Sequence, residues 1–258
     1  MALLETRGLT KNFGGLNAVD DFSISINKGE LVGLIGPNGA GKTTVFNLIT
    51  RVFRPTSGAV IFKGKNIAGL KPDKVARRGI VRTFQLTTLF GEYSVIQNVL
   101  VAQYLRSQIS AWGAFLMYPS IRRREAVLFQ QAEEILNLMG LYEKKNELAN
   151  NLSHGHQRAL GIAIALAAQP ELLLLDEPAA GMNPEESGGM MRRIESIADR
   201  GITILLIEHD MKVIMGLCKR IVVLNYGKKI AEGTPQQIKK DSEVIKAYLG
   251  APDVVAKD

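Results

Sequence analysis

Residues 31–44 read Leu-Val-Gly-Leu-Ile-Gly-Pro-Asn-Gly-Ala-Gly-Lys-Thr-Thr, an apolar run that breaks into glycines and ends on a lysine and two threonines. Gly36 to Thr43 fits G-x-x-x-x-G-K-S/T in a strand, loop, helix setting, the pattern of a phosphate-binding loop. Glycines there let backbone N–H groups converge on phosphate oxygens without a Cβ in the way. The positive end of the helix starting near Lys42 faces the same anion. Lys42 is expected to reach the β- and γ-phosphates and the Thr43 hydroxyl to hold Mg²⁺, with Gly36, Pro37, Asn38, Gly39, Ala40, Gly41 and Thr44 lining the cradle. At average residue usage the pattern arises by chance in roughly one sequence of this length in a hundred, so a glycine-rich turn without a ligand is the weaker explanation. Alone, the loop implies nucleotide phosphate binding and nothing about the use made of it.

The chain of 258 residues is long enough for one large α/β domain or two modest ones. A net charge of +7 suits an anionic ligand, a membrane surface or nucleic acid, and equally a scatter of solvated Lys and Arg. The single cysteine, Cys218, excludes an internal disulfide framework and suits a reducing compartment; its apolar surroundings mark it as a small core residue. The N-terminal residues include Glu5, Arg7 and Lys11 instead of a signal-peptide pattern. The most apolar region, 160–175, is interrupted by Gln169, Pro170 and Glu171, so no transmembrane helix is expected.

Stretches 3–11 and 18–26 alternate apolar and polar residues as strands with one wet face do, and 58–62 with Lys63-Gly64-Lys65 reads as a strand and tight turn. Helical spacing follows the loop at 44–51, a short basic helix is expected at 71–78, and a strand at 80–85. From about 86 to 150 the strand signal vanishes, and 98–108 and 122–139 have helical spacing around an aromatic-rich insert at 111–119. Strand-like runs return at 172–175, 202–207 and 221–224, separated by helices at 157–168 and 184–199. Alternating strands and helices imply a parallel sheet with both faces covered. A hairpin through Tyr226-Gly227-Lys228 and a polar helix from Pro235 follow, and the residues after Gly250 read as a disordered tail.

Leu172-Leu173-Leu174-Leu175-Asp176-Glu177 delivers two acids at the C-terminal end of a buried strand, the end of a parallel sheet where ligands bind. Asp176 there is placed to help hold Mg²⁺, and Glu177 to polarise an attacking water; the alternative is a helix-capping pair. Leu152-Ser153-His154-Gly155-His156-Gln157-Arg158 precedes the helix leading to Ala168, and Ser153 before that helix makes a second anion-directed terminus or a plain N-cap.

At this point the chain resembles the nucleotide-binding subunit of ABC transporters over nearly all its length. Gly36 to Thr43 matches Walker A, Leu172 to Asp176 matches Walker B and Glu177 the catalytic glutamate. Gln85 matches the Q-loop, Leu152 to His156 the LSGGQ signature, Ala180-Gly181-Met182-Asn183 the D-loop and His209 the switch histidine. The resemblance implies an α/β P-loop NTPase (RecA-like) core with an antiparallel β-subdomain (together 1–85 and 152–250), an inserted α-helical subdomain at 86–151 and a tail at 251–258. It implies ATP and Mg²⁺ as cofactors, with Thr43, Gln85 and Asp176 toward the metal. It also implies Lys42, Glu177, His209 and Gln85 in hydrolysis, Ser153 and Gly155 against the partner's ATP, and Phe13 under adenine. Core packing for Phe13, and a ligand-free strand end for His209, are the alternatives.

Stretches 76–85, 89–90, 98–99, 179–184 and 247–250 are similar to the LivG-type ATPases of branched-chain amino-acid importers. That resemblance implies a head-to-tail ATPase dimer on the cytoplasmic face of the plasma membrane, docked on permease subunits through 86–93 and part of the insert. A solute-binding protein is then an indirect partner, and no nucleic acid is expected. An engine for another cargo, such as urea or an exported lipid, and a soluble ABC ATPase are the competing functions. The signature departs from the family at His154 and His156, either a tolerated variation or a site where protonation near pH 6.5 alters ATP affinity.

Overall fold

The computed structural model describes residues 2–83, 89–107 and 119–249. In chain order its strands are β1 (Ala2–Phe13), β2 (Leu16–Asn27), β3 (Leu31–Ile35), β4 (Ser57–Phe62), β5 (Lys65–Asn66), β6 (Ile80–Arg82), β7 (Leu172–Asp176), β8 (Thr203–Ile207), β9 (Arg220–Asn225) and β10 (Lys228–Gly233). They form an antiparallel sheet in the order β2-β1-β4-β5 and a second sheet in the order β10-β9-β3-β8-β7-β6. The second sheet is parallel from β9 to β6, and β10 closes it as an antiparallel hairpin partner of β9.

Strands in the middle of a parallel sheet are buried on both faces, which is why β7 is four leucines and an acid with no polar alternation. Period two still sorts those leucines. Leu172 and Leu174 join a core with the antiparallel sheet and the helix α1 (Lys42–Ile49), while Leu173 and Leu175 join a second core under the remaining helices. Leu205 and Ile207 of β8 face the first core and Ile204 and Leu206 the second, in the same way. Gly33 in β3 leaves room for its neighbours, since a Cβ there would lie 3.2 Å from the Cys218 sulfur. Burial pushes the Cys218 thiol up to about 12, so it is an inert core residue.

A short helix α2 (Pro72–Arg77) leads into β6. The helical part comprises α3 (Val95–Ser107) and α4 (Pro119–Leu138), packed on α5 (His154–Ala167). Val95, Val99, Ala132, Leu136 and Met139 share one core with Leu160 and Ala163 of α5, so this insertion is fused to the parallel sheet's helical face. Helix α3 starts three residues before the expected 98 because Ser94 and Gln97 cap it reciprocally: each side chain accepts from the other's backbone N–H, at 3.3 and 2.8 Å. The helix α6 (Pro184–Asp199) begins on a full capping box of Asn183 and Glu186 and matches the expected span.

Three short helices end the chain's described part: α7 (Met211–Leu217), α8 (Pro235–Lys240) and α9 (Ser242–Leu249). Only α8 is expected from the sequence; the seven residues of α7 are too few for a helical period to stand out. The strand expected at 80–85 ends at Arg82, and Gln85 lies outside the described residues, as do most of the aromatic insert and the tail after 250.

Candidate functional site

The loop between β3 and α1 is built by steric necessity. Gly36 has φ 153°, and a Cβ on it would lie 2.0 Å from the Leu224 carbonyl oxygen. Gly41, the N-cap of α1, has φ 103°, and its Cβ would lie 2.3 Å from the Ala18 carbonyl oxygen. Both neighbours are backbone in strands and do not yield, so these positions accept only glycine. Gly227 donates to the Ala40 carbonyl at 2.9 Å and Asp20 donates to the Gly227 carbonyl at 2.9 Å, bracing the loop on the β9–β10 turn and β2. Lys42 is buried, and its ammonium donates to the Gly36 and Pro37 carbonyls at 2.7 and 2.9 Å. Burial lowers its pKa while the charges of Glu177 and Asp176 raise it, so the loop lysine and the acids of β7 share one electrostatic site. From the other end of the chain Tyr248 of α9 reaches the loop; burial pushes its phenol up to about 12, against a hydrogen bond from the Gly36 backbone.

Asp176 ends β7 with its side chain 1% exposed, and Arg82 donates to its Oδ2 at 2.6 Å. Arg82 also donates to Asn47 Oδ1 on α1 at 2.6 Å and lies over the Phe46 ring, 5.4 Å from its centroid. The other carboxylate oxygen, Oδ1, is buried with no hydrogen-bond partner. A carboxylate oxygen held without a donor is suited to a hard cation or its bound water, so the residues present fit Mg²⁺ here. Thr43 is exposed at the start of α1, beside the same loop.

Glu177 breaks the strand. Its φ of 50° is left-handed, a strain of about 1–3 kcal/mol for a non-glycine residue that persists only where surrounding bonds hold it. Those bonds are visible: Glu177 N–H donates to the Ile207 carbonyl at 2.9 Å, and Arg158 of α5 donates to the Glu177 carbonyl at 2.9 Å. The turn brings the Glu177 carboxylate within 2.5 Å of His209 Nε2, although the two residues lie at the ends of different strands. His209 thus sits at a strand end against the Glu177 carboxylate. Next to it Glu208 is buried, accepting from Ala179 N–H at 2.8 Å and from His209 N–H at 3.3 Å.

Ser153 caps α5, its oxygen accepting from the His156 backbone N–H at 3.4 Å. Its hydroxyl also lies 2.8 Å from His156 Nδ1. Burial, then the charges of Lys144 and Arg193, lower the His156 pKa from its ordinary 6.5. Ser153 and His154 are exposed and Gly155 half-buried, 3.7 Å by its Cβ position from Glu186 of α6. Arg158, further along α5, joins this segment to Glu177. Phe13, at the end of β1, is an exposed ring rather than a core one: it is 43% exposed and meets Phe53 edge-on at 5.3 Å.

Of the residues expected from sequence, the structure brings Lys42, Asp176, Glu177 and His209 together. Sequence reasoning gave no role to Arg82, Arg158 or Glu208. Glu208 carried a readable signal, an acid at the C-terminal end of an apolar strand like Glu177, whereas the partners of Arg82 and Arg158 are set by tertiary neighbours 94 and 19 residues away.

Comparison with known proteins agrees with this geometry. Residues 19–180 match the family model for ABC transporters, and residues 228–254 match that of the branched-chain amino acid ATP-binding cassette transporter. The high-affinity branched-chain amino acid transport ATP-binding protein LivG of Escherichia coli K12 is 46% identical over 96% of this chain and 98% of its own. Among solved structures, the ADP conformation of MJ1267, an ATP-binding cassette of an ABC transporter, superposes with a TM-score of 0.83 at 30% identity, covering 97% of this chain and 99% of that one. The dimeric structure of MJ0796, a bacterial ABC transporter cassette, gives 0.75 at 25% identity over 90% of this chain and 98% of that one. The protein thus belongs to the ABC transporter ATP-binding family, with the α/β P-loop fold and the ATP-hydrolysing chemistry of that family.

Proposed function

We propose that this chain is the ATPase subunit powering import of branched-chain amino acids through a membrane permease. The observation that carries the chemistry is the Glu177–His209 contact of 2.5 Å at the strand ends beside the phosphate loop. The cargo is supported by the identity to LivG and by the match of residues 228–254.

The reaction is attack of water on the γ-phosphate of ATP, releasing ADP and phosphate. The backbone N–H groups of residues 36–44 bind the phosphates, and Lys42, already turned toward the Gly36 and Pro37 carbonyls, exchanges these for phosphate oxygens. Glu177 accepts the proton of the water, and His209 Nε2 holds the carboxylate and faces the transferring group. Thr43, Asp176 and Gln85 would hold Mg²⁺, which neutralises charge on the β- and γ-phosphates. Phe13 offers an exposed ring to adenine. Ser153 and Gly155 face a second copy or a paralogue, so each ATP is clamped between one subunit's loop and the other's signature.

The division into core plus β-subdomain (1–85 and 152–250), helical subdomain (86–151) and tail follows the same reading. No helix of the described residues is long and apolar enough to cross a membrane, which fits a subunit held peripherally at the cytoplasmic face. A solute-binding protein outside the membrane would act through the permease. The permease contact proposed is 86–93 with part of the insert, of which 86–88 lie outside the described residues; its support is Phe90, 52% exposed and stacked on Tyr93. Retained permease assembly after Leu89→Asp and Phe90→Asp would argue against that surface.

The base assignment is tested with Glu177→Gln. Loss of the general base should lower ATP turnover by about 10²-fold or more while ATP still binds, and the stalled species should elute as a dimer. Near-wild-type hydrolysis would refute it. Leucine uptake unaffected by loss of the protein would remove the cargo.

A further inference from the structure

Glu177 and His209 meet from the ends of two strands, with 2.5 Å between the carboxylate and Nε2. What holds them is a closed ring of bonds through Glu208. Its Oε1 accepts from Ala179 N–H at 2.8 Å, two residues after Glu177, and its Oε2 accepts from the N–H of His209 at 3.3 Å. The His209 ring then returns to Glu177 at 2.5 Å, and Glu177 N–H to the Ile207 carbonyl at 2.9 Å ties the two strand ends a second time. Glu208 is 5% exposed, so its carboxylate is committed to these amides rather than to solvent.

We propose that Glu208 is a positioning residue for ATP hydrolysis: it clips the start of the segment after Glu177 to the switch-histidine loop and thereby sets the His209 ring on the Glu177 carboxylate. The inference rests on the proposed roles of Glu177 and His209. A buried carboxylate is an expensive clip, and a hydrophobic residue would fill the space at lower cost. The two Glu208 oxygens accept from two backbone N–H groups just past these strand ends. Burial raises the Glu208 pKa, the nearby charge of Glu177 raises it too, and the amide bonds from Ala179 and His209 oppose both; the His209 imidazole is the other titratable group facing it.

The test uses the full chain labelled with ¹⁵N-histidine, feasible because it contains three histidines. Glu208→Gln keeps the shape but turns an NH₂ toward one of the two amides. With His209 Nε2–H donating to Glu177 in the wild type, the variant should lose that tautomer's ¹⁵N signature at His209 while His154 and His156 keep theirs. kcat should fall about 10-fold or more with KM for ATP within about 2-fold, the range for a misplaced catalytic group. Unchanged His209 signals overturn the proposal whatever kcat does, and so does a change confined to KM. If Glu208→Gln does not fold, Glu208→Asp, which keeps the charge and loses reach, is read by the same criteria with an intermediate effect. An active Glu177→Gln would instead refute the base and leave the His209 signature of Glu208→Gln intact, so the two failures are distinguishable.

Discussion

Removing Arg82 should destabilise this protein more than its position at the end of a three-residue edge strand suggests. Arg82 and Asp176 are 2.6 Å apart with side chains 6% and 1% exposed, a gross attraction of roughly 6 kcal/mol at an effective dielectric near 20. Desolvation of the two ions cancels most of that, so the pair as a whole contributes little. Arg82→Met is different, because it leaves the Asp176 charge buried with neither oxygen partnered, Oδ1 being already without one. Breaking a buried pair from one side costs about 3–5 kcal/mol. The Asn47 side chain loses a charged donor as well, worth about 1 kcal/mol at a half-buried site. The sum is about 4–6 kcal/mol, or a melting temperature lowered by about 10 °C or more for a chain of this size. Urea unfolding at pH 7 measures it. The double variant Arg82→Met with Asp176→Asn removes the orphaned charge and should recover about 2 kcal/mol or more of the loss. A single-variant loss under about 1 kcal/mol, or no recovery in the double variant, would show that the pair is not held as described.

The loop glycines should rank by their neighbours: Gly36→Ala and Gly41→Ala each meet a backbone oxygen and should cost about 3 kcal/mol and abolish tight nucleotide binding, whereas Gly39→Ala, with φ 76° and open space, should cost about 1 kcal/mol. Equal losses in chemical denaturation would contradict the steric account. Burial and neighbouring cations lower the His156 pKa in the fold, so between its ordinary 6.5 and the lower folded value the unfolded chain binds more protons, and stability rises with pH across that window. His156→Gln should therefore match wild type in melting temperature above about pH 7.5 and gain on it progressively below 6.5; a constant offset at all pH values would remove titration of His156 from the account.

Within the chain, local chemistry already defined much. Gly36 to Thr43 needed no neighbour to be read as a phosphate loop, because the spacing of glycines and lysine is itself the mechanism. The four leucines before Asp176 reported a strand buried on both faces, and the helical spacing of 184–199 reported α6. Strand and helix patterns are local, so they survive without a tertiary context. Helix α7, seven residues long, and the early end of β6 escaped because such short segments contain less than two full periods of either pattern.

What sequence alone determined is therefore the inventory: a loop for phosphate, two acids, a histidine, a capped second helix terminus and the order in which the strands and helices alternate. The tertiary structure decided the partners. The parallel sheet places residues 32 to 188 positions apart side by side, so that Glu177 meets His209, Gly36 meets Leu224, and Arg82 settles on Asp176. Hydrogen bonds and Coulomb forces act over a few ångströms, and only the folded sheet brings those groups within that reach. The phosphate loop is legible because it is continuous in sequence; its acids are organised by Arg82, Arg158 and Glu208, which no spacing along the chain relates to it.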